Sequence, residues 1–340
     1  MKILVTGGAG FIGSHIVEAL VKKGHDVRVL DNFFAGKMEN LRAVKGDVEV
    51  VRGDCADLKT ASRAARGVEA VFHEGAIASV ARSVKDPLLS HHANATATLT
   101  MLVAARDAGA RRFVYAGSSS VYGDTPTLPK HEGMTPMPLS PYAGAKLAGE
   151  HYLRIFARLY GMETLTIRYF NVFGPRQDPG SPYSGVISRF TTELLAGRTP
   201  LIYGDGLQSR DFTYVANVVD ANLRALKAKG LAGQSVNVAT GHGVTLRQLL
   251  AALAAEIGRP AKATRGPARA GDVRHSLADI RAALRRLARE PGMGHTLELI
   301  ASSDHLFWPH RQLWIVYLRD TGPLEIVTIW DARRGDPPLG

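Results

Sequence analysis

Short apolar runs alternate with stretches of helical period along the first half of the chain. Residues 1–6 form a strand-like run that stops at a glycine cluster, and a helical pattern follows from Ser14 to about Lys23. Further strand-like runs stand at 25–30, 48–51, 68–73, 112–116 and 164–168, with helical patterns between them. This rhythm predicts an α/β fold, a doubly wound parallel sheet covered by helices. Beyond residue 170 the rhythm is broken by proline and glycine clusters at 174–180 and 203–206, which predicts a smaller C-terminal lobe. The pattern divides the chain into a sheet domain at 1–170 and a lobe that begins at 171.

The glycine cluster Gly7-Gly-Ala-Gly10-Phe-Ile-Gly13 lies between a strand and a helix. In that context, backbone N–H groups and the positive end of the helix dipole face a pyrophosphate. Gly10 leaves room for close approach, and Gly13 lets helix and strand pack together. The second strand ends at Asp31, whose carboxylate is placed to accept hydrogen bonds from both hydroxyls of an adenosine ribose. Together these features predict a Rossmann-type domain that takes NAD rather than NADP.

Tyr142 and Lys146 stand at i and i+4, which stacks a phenol and an ammonium on one helical face. A phenol is a poor base near neutrality unless a cation stabilises its phenolate, and a lysine one turn on supplies that cation. Alone, the spacing is common. The run 113–123 gives it context: a strand ends in Ser118 and a turn, on the sheet edge that faces the ligand crevice. A serine there can hydrogen-bond the hydroxyl that Tyr142 deprotonates, at hydride-transfer distance from a nicotinamide.

Composition narrows the class. A chain of 340 residues with 45% hydrophobic content buries a large core, and no apolar stretch is long enough to span a membrane. The opening strand lacks the basic flank and cleavage site of a signal peptide, so a cytoplasmic location is expected. The single cysteine, Cys55, excludes an internal disulfide and reads as inert. A net charge of +11 raises nucleic acid as a partner, but the excess sits in 259–289 without interleaved aromatics. A phosphate-bearing small substrate or a solvated basic face accounts for it; no nucleic acid, membrane or metal is assigned.

The ordered motifs resemble the extended short-chain dehydrogenase/reductase family, in particular the nucleotide-sugar 4-epimerases of the UDP-glucose 4-epimerase type. They run from 6–13 through Asp31-Asn32, Gly53-Asp54, 71–73, 118–122, 142–146, 168–175, 204–206 and 210–212 to 269–272, so the resemblance covers about 1–284. It implies that Ser118, Tyr142 and Lys146 are catalytic. It also implies that Gly7, Gly10, Phe11, Ile12, Gly13, Asp31, Asn32, Asp54, Asn94 and Lys146 contact or support NAD. Asn171, Arg210 and Arg269 resemble the ligands of the substrate diphosphate, a role suited to the guanidinium fork. Ser276 resembles a gatekeeper for the C2 substituent of a UDP-sugar, small enough to admit an N-acetyl group.

The implied reaction is inversion at sugar C4 through a 4-keto intermediate, on UDP-glucose and UDP-galactose and also on UDP-GlcNAc and UDP-GalNAc. UDP-glucuronate epimerisation or decarboxylation is the alternative. Ser119 and Ser120 occupy the positions where related 4,6-dehydratases carry an acidic pair, so dehydration is not expected. The resemblance also implies a homodimer paired through helices at 94–107 and 142–160. Gly75, Ala97 and Gly117 depart from the usual pattern, and after residue 284 the usual closing helices do not appear. The tail resembles the later half of a plasmid-stabilisation toxin, with a hairpin turning at 320–323. A catalytically weak NAD-binding protein whose tail recruits a partner is therefore the rival of another class.

Overall fold

The computed structural model describes residues 1–178, 185–267 and 273–279, together with the backbone of three strands between 305 and 331. Along the first part of the chain β1 (Lys2–Thr6), α1 (Phe11–Lys22), β2 (Asp26–Asp31), β3 (Val48–Arg52), α2 (Leu58–Ala65) and β4 (Ala70–His73) follow one another. Next come α3 (Val80–Lys85), α4 (Pro87–His91), α5 (Ala97–Asp107), β5 (Arg112–Ser118), α6 (Pro141–Tyr160) and β6 (Glu163–Tyr169). The later part holds β7 (Val172–Phe173), α7 (Val186–Leu195), β8 (Leu201–Tyr203), β9 (Ser209–Asp211), β10 (Thr213–Tyr214), α8 (Val215–Lys227) and β11 (Gln234–Val238). It closes with β12 (Gly243–Thr245), α9 (Leu246–Ile257), β13 (Thr264–Gly266) and β14 (His275–Ser276).

Seven strands form one parallel sheet in the order β11-β6-β5-β4-β1-β2-β3, the doubly wound arrangement expected from the alternation. Side chains alternate across it: Ile3, Val5, Val27, Val29 and Phe72 meet α1 and α8 on one face, whereas Leu4, Leu30, Val71 and Phe113 meet α2, α5 and α6 on the other. The central strands read as continuous apolar runs because both faces are covered. Each fully buried side chain such as Leu153 or Phe113 contributes about 2 kcal/mol.

Two expected boundaries move. The first helix begins at Phe11 rather than Ser14, because Gly10 is its N-cap. The division at residue 170 is not a spatial one: β11 pairs in parallel with β6 from Gln234↔Leu165 to Val238↔Tyr169, and α8 packs on α1. Sequence pattern misses this return because β11, Gln-Ser-Val-Asn-Val, is short and half polar. The lobe proper is built around Phe190, Leu194, Ile202, Leu249 and Leu250 from α7, β8 and α9.

Residues 1–285 make one compact unit, and residues 286–340 a second. In the second, β15 (His305–His310), β16 (Leu313–Leu318) and β17 (Ile326–Asp331) form an antiparallel sheet in that order. The β16–β17 pairing agrees with the expected hairpin, and its turn lies outside the described residues.

Candidate functional site

The carboxyl ends of the strands open into a cleft of about 650 Å³, lined along one wall by the glycine turn and along another by residues of the lobe. Its cofactor end is set by sterics. Gly7 adopts φ +64, and a Cβ there would lie 2.7 Å from the Gly75 backbone nitrogen. A Cβ on Gly13 would lie 2.2 Å from the Gly7 carbonyl oxygen, so only glycine lets α1 start this close to the end of β1. No side chain caps the N-terminus of α1, which leaves its first N–H groups directed at the cleft that Gly10, Phe11, Ile12 and Gly13 line.

Asp31, at the end of β2, lies in the same wall. Its two oxygens accept from the backbone nitrogens of Ala9 (3.0 Å) and Phe33 (2.8 Å), which orients the carboxylate and leaves it further lone pairs. Burial pushes its carboxyl up, and these two hydrogen bonds oppose the rise. Asn32 donates to Asp54 at 3.4 Å, and both line the cleft. The residues present thus fit a dinucleotide: a backbone cradle closed to any Cβ, a helix N-terminus for phosphate and a carboxylate for a ribose.

Asn94 behaves otherwise. It is buried in a π-type turn at His92–Thr96 and donates to the carbonyls of Ile77 (3.3 Å) and Ser90 (2.8 Å), tying the segment between β4 and α3 to that turn without lining the cleft. Cys55 behaves as expected of an inert thiol, since burial pushes it up to about 12.

The reactive end is made by β5 and α6. Ser140 caps α6 by accepting from the Ala143 nitrogen and Pro141 fills its first turn, which fixes Tyr142 at the helix start and Lys146 one turn on. Lys146 Nζ donates to the Ala116 carbonyl at 2.8 Å and lies 6.0 Å from the centre of the Tyr142 ring. Ser118, two residues further along β5, caps the following 3-10 turn, and its hydroxyl is 2.8 Å from that of Ser120. Burial pushes the Tyr142 phenol up while its interaction with the Ser118 hydroxyl acts the other way. Burial also lowers Lys146 to about 8, against the raising influence of Glu74 and Glu150.

The lobe brings Asn171, Arg210 and Ser276 to the same cleft. Arg210 on β9 and Ser276 on β14 are register partners, and Asn171 donates to the Asp211 carbonyl at 3.1 Å. Arg269 lies outside the described residues. Sequence reasoning missed Glu74 and Tyr169, which line the cleft beside Lys146. It also missed the brace behind α6, where Arg168 grips Glu150 at 2.9 and 2.6 Å and donates to Tyr122 Oη at 2.8 Å.

A family model described as NAD dependent epimerase/dehydratase family matches residues 3–239. The chain belongs to that family. It is 42% identical to UDP-glucose 4-epimerase of Mycolicibacterium smegmatis over 89% of its length and all of that relative. It is 39% identical to a putative UDP-glucose 4-epimerase of Methanocaldococcus jannaschii, covering 83% of this chain and 90% of that one. Among solved structures of family members, UDP-glucose 4-epimerase of Thermotoga maritima with UDP-glucose superposes with a TM-score of 0.80 at 37% identity, over 88% of this chain and 99% of that one. UDP-N-acetylglucosamine 4-epimerase of Methanobrevibacter ruminantium, in complex with UDP-N-acetylmuramic acid, gives 0.79 at 38%, over 87% and 94%.

Proposed function

We propose that the protein is an NAD-dependent nucleotide-sugar 4-epimerase that interconverts UDP-glucose and UDP-galactose, and the corresponding N-acetylhexosamine pair. The observation that carries this reading is that the Ser118, Tyr142 and Lys146 cluster shares one cleft with the glycine turn and with Arg210 and Ser276. Bound NAD, held by the glycine turn and Asp31, would supply the acceptor and later the donor of the C4 hydride.

The chain's own residues do the rest. Tyr142 removes the 4-OH proton and Ser118 orders that hydroxyl by hydrogen bonding. Lys146, fixed by the Ala116 carbonyl 6.0 Å from the centre of the Tyr142 ring on the same helical face, supplies a cationic charge that favours the phenolate. The 4-keto sugar then turns over and takes its hydride back on the opposite face, so C4 is inverted without net redox change. Arg210, Asn171 and Arg269 hold the diphosphate through the pivot. Ser119 and Ser120 offer no carboxyl for water elimination. Ser276, small and nine-tenths buried, leaves room for an N-acetyl group at C2.

Among the described residues no helix is long and apolar enough to cross a membrane. We place the protein in the cytoplasm as a homodimer paired through the helices at 94–107 and 142–160, the second of which carries the exposed Ile155 and Leu159. The sheet domain and lobe act as the two arms of one unit, and the toxin-like tail takes no part in the chemistry.

The test is to incubate purified protein with UDP-glucose, UDP-GlcNAc and UDP-glucuronate without added cofactor and to separate the products. The expected result is C4 epimers of the first two. A pentose product from the glucuronate, or no turnover by protein that carries NAD, would refute the reading. Tyr142→Phe is expected to keep NAD and to lose about 10²-fold or more in kcat.

A further inference from the structure

The cleft wall holds a half-buried acid that the proposed chemistry leaves unused. Glu74 directly follows β4, one step past the His73↔Tyr115 register pair, which sets it level with Ala116, the residue of β5 whose carbonyl accepts from Lys146 Nζ. Tyr169 Oη donates to Glu74 Oε1 at 2.9 Å, and Asn222 of α8 donates to Tyr169 Oη at 2.7 Å. The chain Asn222–Tyr169–Glu74 thus runs from α8 through the end of β6 to the floor of the cleft. The tyrosine spends its single proton on one carboxylate oxygen, and the other has no hydrogen-bond donor among the described residues.

The charged and titratable groups around this site are few. On α6 they are Lys146, Tyr142 and Glu150; on β5, Tyr115; on β6, Arg168 and Tyr169; on β4, His73; α8 contributes the neutral Asn222. Glu150 is already gripped by Arg168 through both oxygens. His73 is neutral, since burial lowers it to about 3. Lys146 is therefore a buried ammonium bound to one carbonyl, and of the two acids whose charge acts on it Glu74 is the one that no guanidinium holds.

We infer that Glu74, anchored through Tyr169 to Asn222, is the counter-charge of Lys146 and so a positioning residue for the Tyr142 base. The inference rests on the epimerase reading, in which Lys146 must be cationic to support the phenolate. Burial pushes Glu74 up to about 7 and Lys146 down to about 8, and the charge of each opposes the shift of the other. The two groups therefore share a narrow pH range, and losing the acid releases the lysine proton earlier.

The test is an NMR titration of holoenzyme carrying 13Cε-labelled lysine, with the Lys146 signal assigned by its loss in Lys146→Arg. In Glu74→Gln the Lys146 midpoint is expected to fall by about one pH unit or more, and the basic limb of kcat to move with it. Glutamine still accepts from Tyr169, so a merely structural role leaves the midpoint in place, and an unmoved midpoint overturns the inference. If Glu74→Gln does not fold, Tyr169→Phe takes its place. It removes the donor that lowers Glu74, so a smaller fall in the Lys146 midpoint is expected, and no change is the overturning result. The titration needs no turnover. Wild-type protein inert towards UDP-sugars therefore sinks the epimerase reading while leaving this measurement to stand or fall alone.

Discussion

The Arg168–Glu150 pair gives the sharpest stability test, because removing one partner leaves the other charged and dry. Both side chains are almost fully buried, at 3% and 1% exposure, and the guanidinium also holds the hydroxyl of Tyr122. Arg168→Met keeps the volume and removes the charge, which strands the Glu150 carboxylate with the hydroxyl of Ser235 as its remaining hydrogen-bond donor among the described residues. Breaking a buried pair in this way costs about 3–5 kcal/mol. At about 2 °C per kcal/mol for a unit of this size, the melting temperature should fall by about 6–10 °C. Calorimetry at a fixed, saturating NAD concentration keeps ligand linkage equal in the two proteins. Adding Glu150→Leu to the variant removes the stranded charge and should restore at least half of the loss. A fall of less than about 2 °C in the single variant, or a double variant no better than the single, would refute the reasoning.

Other outcomes follow from the same structure. Gly13→Ala places a methyl 2.2 Å from the Gly7 carbonyl, so α1 must shift and the purified protein should lose most of its bound NAD, read from its absorbance ratio at 260 and 280 nm; full retention contradicts the cradle. Ser276→Tyr should lower the ratio of UDP-GlcNAc to UDP-glucose turnover by about tenfold or more, and an unchanged ratio removes Ser276 from substrate choice. His73 is buried between the hydroxyls of Thr6 (2.7 Å) and Thr98 (3.2 Å) with its pKa lowered to about 3. Between the ordinary histidine value and 3 the unfolded chain holds a proton that the folded one lacks, so stability is lost as pH falls through that window. Its slope approaches about 1.4 kcal/mol per pH unit, and His73→Gln should flatten it in urea titrations.

What sequence made legible was chemistry carried by neighbours along the chain. Gly7 to Gly13 span one turn and a helix start, Tyr142 and Lys146 one helical turn, and Ser118 and Asp31 mark strand ends whose position follows from apolar runs. Their environment was not legible, because it is assembled across the sheet. Tyr169 reaches Glu74 over 95 positions and Arg168 reaches Glu150 over 18, and no local period marks either pair. Asn94 was expected to support the cofactor region, but the means was not legible: its amide donates to the carbonyls of Ile77, 17 positions back, and Ser90 from the π-type turn at His92–Thr96. The strand β11 was missed because a sheet-edge strand needs fewer apolar residues than a central one, so its half-polar sequence carries a weak signal.

The hold that β5 has on both Lys146 and Ser118 has an evolutionary consequence. The Ala116 carbonyl that fixes the Lys146 ammonium and Ser118, the proposed partner of the substrate hydroxyl, lie two residues apart on one strand. Their separation is set by backbone geometry and not by the lobe, whereas Arg210 and Ser276 reach the cleft from β9 and β14. On the proposed reading, single substitutions at those lobe positions can therefore change which sugar is accepted while the spacing of Ser118 and Lys146 stays as β5 sets it.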